Sequence, residues 1–324
     1  MDAQKALRLS NCISLLTTIE KNEGITRKGI SEKTGLSLMT VGKLCSLLCE
    51  CDIITEQKEE KSESGRKASA CFISPSFSLA VINIADTTYS LTVYNSSARS
   101  AASILHTASS DLDFEDRLFQ FCDKMAEMLD RIEYPEPTTV CVISEGDYEN
   151  GILTKSTTEH AYLEKAVAKI FKKAKIEVFK PSACAAAYVE MSESGDTLAA
   201  TIGKKLSFAV PTREIAPYQA SAVYPDKLRV ETTSLGERLK DIKTPDRECI
   251  LAFLSSLAAL YPNHKIKLFP LAESNGALTC GEMCRYAIQN GALSSVVYHS
   301  EDPIGEMSDG ARIMLVTSIL KKHI

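Results

Sequence analysis

The sequence predicts an α/β protein made of a small helical head and a body of two repeated lobes. Three observations carry this. Two short capped helices lie between Ile25 and Lys43; strands open the chain after Leu79 and then alternate with helices; and the same order of elements begins again near Leu198. With 324 residues, 44% of them apolar, the chain has material for two or three hydrophobic cores.

In the head, Ala6 to Ile19 gives a helical pattern that Asn22-Glu23-Gly24 ends. Thr26 can cap the next helix, with Ile25 before the cap and Ile30 four positions in, the spacing of a hydrophobic staple. Leu36, Ser37 and Val41 repeat the device for the helix after it, and Gly35 supplies the turn between the two. A pair built this way fits a helix-turn-helix, whose second helix enters the DNA major groove. In that helix Val41, Leu44, Cys45 and Leu48 share one face, which leaves Met39, Thr40, Gly42, Lys43 and Ser46 outside. An ordinary helical hairpin with a solvated face would show the same pattern.

Two short strands follow, Ile53–Thr55 and Ala70–Ile73, around a polar run from Glu56 to Ser69. This is the outline of a wing carrying Lys58, Lys61, Arg66 and Lys67, although Glu59, Glu60 and Glu63 also describe a solvated loop. Ser74-Pro75-Ser76 reads as a hinge closing the head, residues 1–75.

The first lobe, residues 76–192, reads as a hairpin of Leu79–Ala85 and Tyr89–Tyr94 and a third strand at Ser103–Thr107. A helix over Phe114–Ile132, a buried strand over Thr138–Ser144, a helix over Leu163–Lys175, a strand at Glu177–Phe179 and an Ala-rich helix at Ala183–Met191 complete it. The second lobe, residues 193–304, opens with strands Leu198–Ile202 and Leu206–Val210. A helix at Glu248–Tyr261, a strand at Lys265–Phe269, a helix at Cys280–Gln289 and a strand at Ser295–Tyr298 follow. Residues 305–324 hold a last helix, expected to pack back on the first lobe.

Net charge is −5, but residues 1–75 carry 11 Lys+Arg against 10 Asp+Glu while the remainder carries 26 against 32. Positive potential is local to Gly24–Lys43, where Arg27, Lys28, Lys33 and Lys43 oppose only Glu32. The 11 cysteines are dispersed in apolar segments, as buried reduced thiols would be. Cys45, Cys49 and Cys51 cluster, as do Cys280 and Cys284, but no Cys-x-x-Cys pair occurs, so no metal site is assigned. With no apolar run of membrane-span length and a polar N-terminus, the expectation is a soluble cytoplasmic protein.

Ile25–Ser37 and Ser64-Gly-Arg-Lys-Ala68 resemble the helix-turn-helix and wing of the ROK family, which groups repressors, open reading frames and sugar kinases. Ile304–Arg312 resembles the start of its last helix. The resemblance is densest over residues 5–75, thinner over 76–190 and thinnest over 191–300. It implies a winged helix-turn-helix on a two-lobed actin-like ATPase body. Gly29 departs from it in the head, where the family offers a Glu that completes a capping box.

The body departs further. Asn83, Ala85 and Thr87 stand where the kinases carry an Asp-x-Gly-x-Thr phosphate turn, so a neutral amide replaces the carboxylate. Pro181-Ser182-Ala183-Cys184-Ala185-Ala186-Ala187, with Glu190 after it, matches the segment that supplies the kinases' general base, and Ser182 cannot take a proton near neutral pH. Gly203-Lys204-Lys205 represents the second phosphate loop, and neither the Glu-x-Gly-His motif nor the cysteine-rich zinc motif is found in Pro211–Leu235.

The resemblance therefore implies a DNA-binding regulator without catalysis or cofactor, working as a homodimer on a double-stranded operator. Ser37, Met39, Thr40 and Lys43 are the residues expected at bases or backbone, and Arg27, Lys28, Arg66 and Lys67 at phosphate or the minor groove. For a small sugar-like effector the candidates are Asn83, Thr87, Glu145, Asp147, Ser182, Glu190, Lys204 and Lys205; a body that only dimerises fits as well. An active sugar kinase with a winged helix, and a winged helix that meets protein instead of DNA, are the rival readings.

Overall fold

Three helices, α1 (Ala3–Lys21), α2 (Arg27–Thr34) and α3 (Leu38–Glu50), form the head with an antiparallel sheet of β1 (Ile25–Thr26), β2 (Ile54–Lys58) and β3 (Ser69–Ile73), ordered β1-β3-β2. The computed structural model describes residues 3–58, 69–85, 87–94, 100–131, 134, 136–193, 196–203, 206–209, 229–230, 233–234, 247–271 and 297–323. Among them no helix is long and apolar enough to cross a membrane.

Both helices of the hairpin start at the expected caps. Thr26 Oγ1 accepts from Gly29 N at 3.2 Å, and Ser37 Oγ accepts from Thr40 N at 3.1 Å, each satisfying one backbone donor that the first turn leaves open. Gly35 ends α2 at φ +71°, where its N–H reaches Ser31 O at 2.9 Å. Gly29 has a packing reason for lacking a side chain: a Cβ there would stand 2.9 Å from Ile25 Cγ1, in space the staple residue fills. Ser74-Pro75-Ser76 is fastened instead of hinged. Asp52, at φ +56°, accepts from Ser74 Oγ at 3.0 Å and from Ser76 Oγ at 2.5 Å, while Ser74 N donates to Ile53 O.

The first lobe holds β4 (Leu79–Ala85), β5 (Thr88–Tyr94), β6 (Ser100–Thr107), α4 (Phe114–Leu129) and β7 (Thr139–Ser144). A small sheet of β8 (Asp147–Glu149), β9 (Ile152–Thr154) and β10 (His160–Tyr162) comes next, then α5 (Leu163–Val167), β11 (Lys175–Phe179) and α6 (Pro181–Ser192). Two stretches differ from the sequence expectation. The helix expected over Leu163–Lys175 ends at Val167, where the chain tightens into turns with Lys169 N on Ala166 O and Ile170 N on Val167 O, and Lys175 N then meets Thr138 O at 3.0 Å as the chain joins the sheet beside β7. The β8–β9 hairpin turns on Asn150 and Gly151 at φ +50° and +81°, the conformation of a type I′ turn that an Asn-Gly pair favours.

The second lobe holds β12 (Thr197–Ile202), β13 (Leu206–Ala209), β14 (Arg229–Val230), β15 (Thr233–Ser234), α7 (Arg247–Leu260), β16 (Lys265–Pro270), β17 (Val297–His299) and, closing the chain, α8 (Pro303–Lys321). The helix expected over Cys280–Gln289 lies outside the described residues. Its sheet runs β13-β12-β16-β17, an antiparallel hairpin followed by two parallel strands. The first lobe's β11-β7-β4-β5-β6 has the same plan with one more meander strand. The repeat read from the sequence is therefore a repeat of topology.

Helix α8 lies against α6, β4, β7 and α1. Its crossing with α6 is close enough that a Cβ on Gly310 would fall 1.9 Å from Cys184 O, and the buried Cys184, Ala185, Ala186 and Ala187 are small for this contact. Lys267 on β16 ties the lobes, bonding Glu306 of α8 at 3.1 Å and Glu193 beyond α6 at 3.3 Å. A single apolar cluster joins Leu9, Cys12, Ile13 and Leu16 of α1 to Ala187, Ile313, Val316 and Leu320, so head and body share one core.

Candidate nucleic-acid interface

The inner face of α3 is fixed by Val41, Leu44, Cys45, Leu47 and Leu48, all buried. Its outer face presents Ser37, Met39 and Lys43 as exposed residues and Thr40 as half-buried; Met39 and Leu38 are 71% and 57% exposed. Among the described residues nothing covers these large apolar side chains at the helix start. Thr40 Oγ1 lies 2.8 Å from Ser37 Oγ, so the cap also orients Thr40.

Between α3 and α1 runs an open groove of about 770 Å³ lined by Gln4, Leu7, Arg8 and Asn11 on one wall and Met39, Thr40, Gly42, Lys43 and Ser46 on the other. Arg8, Lys43 and Arg27 make its rim basic. Sequence reasoning missed the α1 wall. The signal was there: Gln4, Arg8 and Asn11 recur at i, i+4 and i+7 along one edge of the apolar stripe, a polar flank on a helix read only for its core.

The other basic residues are placed differently. Arg27 makes a two-bond ion pair with Glu56 on β2, Nε to Oε1 at 2.6 Å and Nη2 to Oε2 at 2.8 Å. The hydrogen bonds it donates to Glu56 raise the Arg27 pKa further. Its planar fork thus holds the wing sheet to the first turn of α2, and a phosphate would have to compete with Glu56 for it. Lys28 is 82% exposed beside Glu32 at 3.8 Å, a weak surface pair. Arg66 and Lys67 lie outside the described residues, as do Lys204 and Lys205.

In the body the parallel strands gather several of the effector candidates. Asn83 is buried on β4 opposite Ile143 of β7, which in turn pairs with Phe179 of β11. Glu145, the buried Ser182 in the first turn of α6, and Thr87 at the β4–β5 turn each follow the C-terminal end of one of these adjacent strands, where open α/β sheets place ligands. Lys180 closes part of this edge, donating to Glu145 O at 3.0 Å, Gly146 O at 2.8 Å and Asp147 Oδ1 at 2.7 Å. Glu190 lies eight residues beyond Ser182 on α6, about 12 Å along the helix axis, and is not part of this group.

No protein-family model matches this sequence, and none of the curated proteins is similar to it. Among solved structures, the ROK family transcriptional regulator that is a homologue of the E. coli MLC protein matches 98% of this chain over 98% of its own, at a TM-score of 0.56 and 11% identity. A Bacteroides thetaiotaomicron protein of actin-like ATPase fold covers 74% of this chain and 96% of its own at 10% identity, with a TM-score of 0.45. A ROK glucokinase from Streptomyces griseus, in complex with glucose and AMPPNP, covers 72% and 97% at 11% identity and the same TM-score of 0.45. Over 98% of its length this chain shares the fold of that ROK family transcriptional regulator, N-terminal helices on an α/β body.

Proposed function

We propose that the protein is a DNA-binding transcriptional regulator of ROK type. Residues 1–75 serve as the reading head, and the lobes 76–192 and 193–304, with helix 305–324 packed back, form a non-catalytic body that dimerises. The observation that carries this is the uncovered start of α3 beside a basic groove: Ser37, Met39, Thr40 and Lys43 stand clear of the core, with Arg8 on the facing wall. A helix of this exposure fits the major groove. Its hydroxyls suit bases or phosphate, and the Met39 side chain suits a thymine methyl.

Loss of catalysis is supported by chemistry at the strand ends. Ser182 is buried where a carboxylate would be needed, and Asn83 is a neutral amide within β4. Neither takes up the proton of a sugar hydroxyl near neutral pH. Asn83, Thr87, Glu145 and Ser182 leave a polar edge suited to a small effector.

The test is fluorescence anisotropy with DNA from the protein's own upstream region and neighbouring promoters, at two salt concentrations, with and without a sugar and sugar-phosphate panel. Specific binding with a Lys43→Ala loss of affinity, and a salt slope reduced by about one, supports the reading. Binding that is sequence-independent, or none, sinks it. Turnover of ATP with a hexose in a coupled assay would restore the kinase reading. A second reading draws on Leu7, 63% exposed and lining the same groove as Met39: this apolar patch also suits a protein partner, and the reading gains if DNA does not bind.

A further inference from the structure

Within the head, three donor groups that are far apart in sequence meet. Cys45 comes from α3, Glu56 from β2 and Cys71 from β3. Glu56 and Cys71 are directly opposite one another in the β2–β3 ladder, and Cys71 Sγ is 3.6 Å from Glu56 Oε1. All three donor atoms lie within 4.8 Å of one another. We propose that the head binds one divalent, thiophilic metal ion here, of the zinc type, with Cys45 Sγ, Cys71 Sγ and a Glu56 oxygen as its protein ligands.

Geometry comes first. Tetrahedral zinc with sulfur ligands at about 2.3 Å and oxygen near 2.0 Å sets its donors roughly 3.3–3.8 Å apart, so side-chain rotations of an ångström or so bring the three onto one ion. The two thiols are fully buried, while the Glu56 side chain is 21% exposed and its partner Arg27 39%. Access is therefore from the Glu56 side, which leaves the fourth position to water.

Charge chooses the ion. Arg27 already holds the Glu56 carboxylate, whose oxygens have lone pairs to spare for a metal. Two thiolates and one carboxylate sum to −3, a divalent ion adds +2 and Arg27 adds +1, so the loaded site is neutral. The unloaded site, with two thiols, a carboxylate and a guanidinium, is neutral as well, and binding sends two thiol protons to solvent. A buried cluster can move between these states without stranding a charge. A monovalent ion keeps the site neutral by displacing one thiol proton only, which leaves the second sulfur a thiol and not a thiolate ligand. Soft thiolates disfavour magnesium and calcium. Arg27 then stands as the outer partner that orients a ligating carboxylate. No Cys-x-x-Cys spacing announces such a site, because its ligands come from three elements of the fold.

The experiment uses the full chain, reduced, titrated with Co²⁺ and then with Zn²⁺. One equivalent of Co²⁺ should give thiolate-to-metal charge transfer and four-coordinate d–d bands that Zn²⁺ abolishes. Cys71→Ala, which keeps the core apolar, should remove the bands and weaken Zn²⁺ binding at least tenfold, and Glu56→Gln should weaken it about 10-fold. Cys122→Ala, in the body, should change neither. X-ray absorption of the zinc-loaded wild type should count two sulfur ligands, which tests the site even if a head variant fails to fold. No charge-transfer band, a band that survives Cys71→Ala, any other sulfur count, or a Cys45–Cys71 disulfide that forms in place of metal binding under mild oxidation overturns the proposal. None of these readouts depends on whether the head binds DNA.

Discussion

Arg312 of α8 and Glu20 of α1, 292 residues apart in sequence, form an ion pair in which the side chains are only 9% and 11% exposed. Burial pushes the Glu20 carboxyl up; it also works against the Arg312 charge, yet Glu20 beside it holds the guanidinium proton more tightly than usual. Tyr94 flanks the pair, its ring 5.9 Å from the guanidinium and its hydroxyl donating to Asp309 at 3.2 Å. Removing one charge strands the other in the seam between head and body.

Arg312→Ala and Glu20→Ala should therefore each cost about 3–5 kcal/mol in urea unfolding. Replacing both with apolar residues of similar size, Arg312→Met with Glu20→Leu, should cost much less than either truncation. Additive losses in that cycle would mean the two side chains do not act as a pair.

Gly310→Ala should be far worse than its chemistry suggests. The new Cβ would meet the Cys184 backbone carbonyl at 1.9 Å, and a helix crossing cannot yield as a flexible side chain can. A loss of about 3 kcal/mol, at the upper end of overpacking, is expected. Gly35→Ala meets no atom within 4 Å and is strained only by its φ of +71°, for about 1–2 kcal/mol. Thermal melts of the two variants should rank them in that order.

The cap of the exposed helix is separable from the side chains proposed to read bases. Ser37→Ala loses the bond to Thr40 N and should cost about 1 kcal/mol, whereas Ser37→Asp, an equally good cap, should restore the melting temperature. If DNA binding follows the melt, Ser37 acts through the helix; if Ser37→Asp melts normally but binds DNA poorly, the hydroxyl itself is at the contact and a new carboxylate repels phosphate.

His106 gives a pH signature. Its pKa is lowered from the ordinary 6.5, by burial first and by the Lys124 ammonium 3.2 Å from Nδ1 second. Above that ordinary value the imidazole is neutral whether the chain is folded or not. As pH falls below it the unfolded chain takes up a proton that the folded one resists, so stability is lost until the folded pKa is passed. His106→Gln should flatten that part of the stability curve relative to wild type; identical slopes from pH 7 downward would contradict it.

The head was legible because its signals are local. A cap is one side chain and one backbone donor three residues on, so Thr26 and Ser37 could be placed from spacing alone. The topology of the lobes was legible for a similar reason, since alternation and turn residues mark strands whatever they pair with. What stayed hidden depends on contacts between distant segments. The wing sheet gains β1 only because Ile25 and Thr26 pair with Cys71 and Ala70. The α5 helix ends before the chain enters the sheet at Lys175, and Arg27, which lines the α1–α3 groove, is engaged there by a carboxylate 29 residues away. The Asn150-Gly151 turn was readable and was passed over. For the effector edge, family likeness named Asn83, Thr87 and Ser182, and Glu145 was named as a charge on an expected loop or helix end. Strand order adds that Thr87, Glu145 and Ser182 follow the same ends of adjacent strands, while Glu190 lies farther along α6.

The shared core of α1 and α8 has a further consequence for geometry on a double helix. A reader hung on a flexible tether can reach half-sites at many separations, because slack absorbs the difference in distance and in helical phase. Here there is no slack: Leu9 and Leu16 are packed in one cluster with Ile313 and Val316, and Ser74 and Ser76 are pinned to Asp52. For two copies bound to one duplex, the spacing would be fixed by the shape of the bodies. Adding five base pairs between half-sites, half a turn, should then abolish paired binding, and adding ten should recover part of it only if the dimer itself can stretch.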